Sequence, residues 1–232
     1  MKHTIYVFIL TLFLGGLYPT GASAQDWPNL KKFRADNEKL EAASLDSSRV
    51  VFMGNSITEY WKVKHPDFFT GHYVNRGISG QTTPQMLIRF RPDVIKLHPD
   101  IVVILAGTND IAGNTGPSTP DMIMDNIISM SQLAKANGIK VILCSVLPAF
   151  DYPWRKGLEP AEKILKLNNM IKKYAKANHI FYLDYYSSLV DERKGMNPEY
   201  TRDGVHPNSK GYDVMEPLVN KAIKKVLSKK LR

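Results

Sequence analysis

The sequence predicts a three-layer α/β/α sandwich built on a doubly wound parallel sheet of about five strands. Two observations carry that prediction. Short apolar runs, such as Val50-Val51-Phe52-Met53 and Ile101 to Ala106, alternate with longer helix-like segments. These runs are continuously apolar, as strands are when helices cover both faces of a parallel sheet. At 232 residues, with 44% hydrophobic and 10% aromatic side chains, the chain has the size and composition of one such domain.

Residues 1–24 stand apart. Lys2 precedes an apolar run from Ile5 to Leu17, and Ala22-Ser23-Ala24 offers a small-x-small cleavage site. This is the pattern of a secretory signal peptide, with Gln25 as the mature N-terminus. The run is shorter than the ~20 residues a spanning helix needs, and no cysteine lies near the cleavage site for lipid attachment. The expectation is an exported protein, periplasmic or secreted, with no stable membrane insertion after cleavage.

Residues 25–48 form a leading segment, of which 28–45 reads as a polar helix. The domain proper is expected over 49–232. Its elements in order are a strand at 49–53, a short helix after Ser56, a strand at 72–75 and a helix at 83–97. A strand at 101–106, a helix at 119–137 and a strand at 140–145 follow, then a helix at 160–177, a strand at 180–183 and a last helix from about 208. Right-handed crossovers wind such a chain into layers, with sites gathered at the carboxyl ends of the strands.

Charge and cysteine narrow the function. The formal charge of +9 falls to +8 once Lys2 is removed with the signal, and Lys221, Lys224, Lys225, Lys229, Lys230 and Arg232 crowd the last dozen residues. Cations there complement a helix dipole and read as a solvated helix end. Nucleic acid is not an expected partner of an exported chain without a binding motif. The single Cys144 lies in the apolar run Val141 to Leu147, which makes it a small hydrophobe; an intramolecular disulfide is impossible.

The strand-end rule sorts the polar residues. Gly54-Asn55-Ser56 follows the first strand, Gly77-Ile78-Ser79-Gly80 the second and Gly107-Thr108-Asn109-Asp110 the third, while Asp203-Gly204-Val205-His206 comes after the fifth. His72, His98 and His179 precede strands, at the opposite edge, and His65 lies in the connection leading there. Only His206 shares an edge with Ser56. Ser56, His206 and Asp203 then supply a nucleophile, a base of suitable pKa and an acid that orients the base. Asp184, also past the fifth strand, competes for the acid's role, but Asp203 is local to His206. The backbone N–H groups of Ser56 and Gly80 and the side-chain amide of Asn109 could form an oxyanion hole. Each feature also has a plain reading as a turn or helix cap.

On these four blocks, and on their order and spacing, the chain resembles the SGNH (GDSL-type) hydrolases from about residue 49 to the final helix. It is most similar to the branch of platelet-activating-factor acetylhydrolase subunits and bacterial carbohydrate acetylesterases. The resemblance implies a flavodoxin-like fold, Ser56 as nucleophile, Asp203 and His206 as its partners, and Gly80 and Asn109 in the oxyanion hole. It implies no cofactor and no metal. One residue departs: the family usually has aspartate before the serine, and this chain has Asn55, which keeps an acceptor oxygen without the charge.

The expected substrate is a small-molecule or glycan ester with a short acyl group, most simply acetyl. Ile57, Thr108 and Val205 flank the catalytic positions and are candidate walls of the acyl pocket. Trp154 is a candidate sugar-stacking ring, whereas Trp61 reads as packing. Longer-acyl lysophospholipase or thioesterase activity and a non-catalytic carbohydrate-binding domain are the competing readings. A phosphate-binding loop lacks its Gly-Lys-Ser/Thr ending, and no pair of histidines has the helical spacing of a metallohydrolase.

Overall fold

A computed structural model of the protein describes residues 25–42 and 48–228. The signal-peptide reading of 1–24, the end of the leading helix at 43–45 and the last cations at 229–232 lie outside the described residues. The five-stranded sheet has the order β2-β1-β3-β4-β5, and every pairing is parallel. Its strands are β1 (Val50–Gly54), β2 (Tyr73–Gly77), β3 (Ile101–Leu105), β4 (Lys140–Cys144) and β5 (Phe181–Leu183).

Alternation along the strands divides the core in two. Val51, Met53, Val102 and Ile104 face α3 (Thr83–Asp93), α5 (Pro120–Ala136) and α6 (Pro160–Ala177), meeting Phe90, Ile123 and Leu167 there. Val50, Phe52, Ile101 and Val103 face the other way, onto Trp61 of α2 (Ser56–Lys64) and Tyr212, Met215 and Val219 of α8 (Ser209–Leu227). Phe52 meets Trp61, Phe68, Phe69 and Tyr73 ring to ring. Cutting it to alanine would cost roughly 3–5 kcal/mol.

Register delivers the site. Gly54 pairs with Gly77 on one side and Leu105 on the other, so β2, β1 and β3 end level. The loops that follow them therefore open at one place.

The sequence expectations fail in specific places. The leading helix starts later than residue 28: α1 is described over Arg34–Ala42, and the chain before it turns at Asn29, whose φ is +56°. The Asp26 carboxylate accepts from the N–H groups of Leu30 and Lys31 and holds that turn. The helix expected to run to 97 stops at Asp93. Pro92 removes a donor from its last turn, Val94 leaves helical angles, and a 3₁₀ turn completes Ile95–Leu97. Short helices α4 (Thr108–Ile111) and α7 (Tyr186–Leu189) were not anticipated. Among the described residues no helix is long and apolar enough to cross a membrane.

Candidate active site

Ser56 is the first residue of α2, directly past the end of β1. Gly54 is required by close approach, since a Cβ there would overlap the Thr58 hydroxyl. Asn55 caps the helix, its Oδ1 accepting from the Ile57 N–H at 3.0 Å. The Ser56 N–H is one of the first helical donors, which have no partner inside the helix, and it lies at the positive end of the dipole. Helix α8 grips α2 in turn: the Tyr212 hydroxyl donates to the Ile57 carbonyl at 2.7 Å, and the Trp61 indole N–H to Glu216 at 3.0 Å.

His206 lies in the loop just before α8. Its Nε2 shares a hydrogen bond with Ser56 Oγ at 2.9 Å, and its Nδ1 with Asp203 Oδ2 at 2.6 Å. The other carboxylate oxygen of Asp203 accepts from the backbone N–H groups of Val205 and His206 at 2.9 and 2.8 Å. Thr201 fastens the loop, donating to the His206 carbonyl at 2.8 Å and accepting from the Gly204 N–H at 3.0 Å. Burial pushes the Asp203 pKa up, but hydrogen bonds from the His206 backbone and ring and from the Val205 N–H outweigh it and hold the carboxyl below its ordinary value. Asp184 is engaged elsewhere, accepting from the Ser187 N–H and hydroxyl.

Gly80 and Asn109 lie in the segments that follow β2 and β3, at the same edge of the sheet as Ser56. Gly80 has φ +76°, which glycine tolerates best, and the Ile78 N–H ties its loop to the Gly54 carbonyl at 3.1 Å. Asn109, buried in α4, donates from Nδ2 to the Gln81 carbonyl at 3.0 Å. The neighbouring Asp110 accepts from the Thr83 N–H and hydroxyl, which locks α4 to the start of α3.

A rim of rings surrounds His206. Tyr60 lies 5.4 Å from the imidazole and Trp154 lies 6.0 Å from it, centroid to centroid, and these rings are 40% and 46% exposed. Trp154 stacks on buried Tyr152, whose hydroxyl meets Thr108 Oγ1 at 3.3 Å. Beside them opens a cavity of about 250 Å³, lined by Phe150, Tyr152, Lys156, Arg193, Met196 and Asp203 among others. Ile57, Thr108 and Val205, expected as pocket walls, are all buried and none lines this cavity; Ile57 packs in the core face shared with Trp61 and Val205 in the opposite one. Trp61 is packing, stacked between Phe68 and Tyr212. Cys144 is fully buried, and that burial pushes its thiol well up, away from thiolate chemistry.

Sequence reasoning missed Gln81, Arg89, Thr201 and the cavity residues Phe150, Lys156 and Arg193. One signal was available. Met86, Arg89, Phe90 and Asp93 fall at helical spacing on one stripe, so a cation and a carboxylate four apart share the core-facing side of α3.

Residues 52–214 match the model of the GDSL-like Lipase/Acylhydrolase family. A structure of a GDSL-like lipase from Bacteroides thetaiotaomicron is 54% identical, with a TM-score of 0.83, covering 85% of this chain and 98% of that one. A second Bacteroides protein, from Bacteroides fragilis, gives 53% identity and a TM-score of 0.85 over 88% of this chain and 99% of its own. An acetylxylan esterase of Xylanibacter ruminicola is 25% identical across 81% of this chain and 45% of its own length. The chain spans between 15% and 58% of the lengths of the curated relatives it matches. With the match covering most of the folded chain, the protein belongs to the GDSL-like lipase/acylhydrolase family.

Proposed function

We propose that the protein is an exported serine esterase that removes short acyl groups, acetyl above all, from O-acetylated carbohydrate. The observation that carries this reading is the unbroken hydrogen-bonded chain Ser56–His206–Asp203 at 2.9 and 2.6 Å. Ser56 Oγ attacks the ester carbonyl carbon as His206 Nε2 takes its proton. Asp203 holds Nδ1–H and stabilises the imidazolium that forms. The tetrahedral oxyanion is met by the N–H groups of Ser56 and Gly80 and the free amide hydrogen of Asn109. Collapse expels the alcohol, which leaves with the proton from His206. Water, deprotonated by the same imidazole, then releases the acid and restores the serine.

Ile57, Thr108 and Val205 flank the catalytic positions in sequence and are β-branched and stiff at χ1, which suits a short acyl group. For the alcohol side, support comes from the exposed rings of Tyr60 and Trp154 beside His206, which suit the apolar face of a sugar. The similarity to an acetylxylan esterase points the same way.

The test is turnover of p-nitrophenyl acetate and release of acetate from acetylated xylooligosaccharides by wild type and Ser56→Ala. The variant should fold and lose at least about a thousandfold in kcat, and a fluorophosphonate should label only the wild type. An alanine variant keeping more than about a hundredth of the rate would sink the nucleophile assignment.

A further inference from the structure

Gln81 is 3% exposed, and every polar group of its side chain is engaged. Its Nε2 donates to the Pro28 carbonyl at 2.7 Å, and its Oε1 accepts from Arg89 Nε at 2.5 Å. Its backbone carbonyl is the acceptor for Asn109 Nδ2. Arg89, wholly buried, also donates to Asp93 at 2.9 Å and to the carbonyls of Gly54 and Arg76 at 3.0 and 2.8 Å. Asn37 of α1 closes the network, donating to Asp93 at 2.6 Å and accepting from Arg76 Nε at 3.0 Å. On the outer side, Glu59 accepts from the Ser79 N–H at 2.7 Å and pairs with Lys32. One buried scaffold therefore joins the end of β1, the Gly80 loop and Asn109 to residues 28–37. Those residues precede the family match, which begins at 52.

A carboxamide nitrogen has two hydrogens. The Gln81 carbonyl takes one from Asn109 and so fixes the plane of the amide, leaving the second for a substrate oxygen. We propose that Gln81 is the positioning residue of the Asn109 donor, and that the leading segment, through the Pro28 carbonyl, holds Gln81 in register. This rests on the reading of Asn109 as an oxyanion donor. A donor that is free to rotate still lets substrate bind but no longer meets the developing charge without reorganisation.

The experiment is a double-mutant cycle on p-nitrophenyl acetate with the full chain. Gln81→Met keeps length and burial but loses both side-chain hydrogen bonds. Its kcat should fall about tenfold to a hundredfold with KM changed by less than about twofold, and it should cost almost nothing further in an Asn109→Ala background. Gln81→Glu keeps the acceptor for Arg89 but sets a carboxylate oxygen against the Pro28 carbonyl in place of the donor, and adds a charge that Arg89 faces, so it loosens the leading segment while Arg89 stays paired. It should lose several-fold in kcat, again only when Asn109 is present, and it serves for the cycle if circular dichroism shows Gln81→Met unfolded. Equal losses in both backgrounds, a change in KM alone, or no loss overturns the positioning role. Wild-type kcat in Gln81→Glu overturns the part given to the leading segment. Asn109→Ala with unchanged kcat overturns the oxyanion reading itself, and shows it in the single variant before any cycle is closed.

Discussion

The two sides of Ser56 are held by different means. On the His206 side the bonds are local: Asp203 reaches a ring three residues away, and Thr201 and Val205 complete the same loop. That loop is partly open to solvent, and its anchor is the following helix, clamped to α2 by Tyr212. On the Asn109 side the bonds are buried and long in sequence, from Asn109 to Gln81, from Gln81 to Pro28 and from Asn37 to Asp93. On the proposed mechanism, the group that exchanges protons sits in a short self-contained turn, and the group that must stay still while charge develops sits in a buried scaffold.

Breaking the local side should cost most. Asp203→Asn can still accept the Val205 and His206 N–H bonds, so the loop should keep its shape, but an amide cannot stabilise the imidazolium. We expect kcat to fall by roughly 10⁴-fold with little change in fold. Because the folded Asp203 pKa lies below its ordinary 3.8, the carboxylate contributes stability above about that pH and loses it as pH falls through the lowered value. Thermal melts at pH 7 and pH 3 should therefore show a steeper acid loss for wild type than for Asp203→Asn. Equal slopes would remove the carboxylate from the linkage.

The buried side should cost less per group. Asn109→Ala removes one of the three proposed oxyanion donors, so kcat should drop about 10²- to 10³-fold with KM nearly constant. A rise in KM with kcat preserved would make Asn109 a ground-state binding group. If this loss exceeded that of Asp203→Asn, the division of labour between the two sides would be reversed.

The same division governs what was legible in the sequence. Strands were readable because each is a continuous apolar run, and β1, expected at 49–53, occupies Val50–Gly54. The strand-end rule brought Ser56 and His206 to one edge, and the short spacing favoured Asp203 over Asp184. Gln81 and Arg89 were not readable. A glutamine after a glycine turn looks like loop, and an arginine on a helix looks solvated until its partners, four to thirty-five residues away, fold around it. The short helix α4 was missed because it is capped by Gly107 at φ +120°, where a Cβ would run into Leu167, and that is a tertiary condition.

The proposed short-acyl preference has its own test. With p-nitrophenyl esters we expect kcat/KM to be highest for acetate and to fall about tenfold by octanoate. A pocket that buried the longer chain would instead gain about 0.8 kcal/mol per methylene and show rates rising with length. Octanoate preferred over acetate below its micelle concentration would exchange the acetylesterase reading for a long-acyl one.

The smallest effect is expected at Asn55, on the boundary between the two sides. Its Oδ1 caps α2 through the Ile57 N–H, and an aspartate oxygen can accept the same bond. Asn55→Asp would place a negative charge at the helix N-terminus, where the dipole favours it by about 0.3–1 kcal/mol. Two effects oppose that gain. The position is buried, so the charged form is penalised, and the carboxylate would stand next to the place proposed for the oxyanion. With these terms opposed, kcat should stay within about fivefold of wild type, a change of roughly 1 kcal/mol in the barrier. A folded but inactive Asn55→Asp would show that the neutral amide is required beside Ser56, and that its role extends beyond capping the helix.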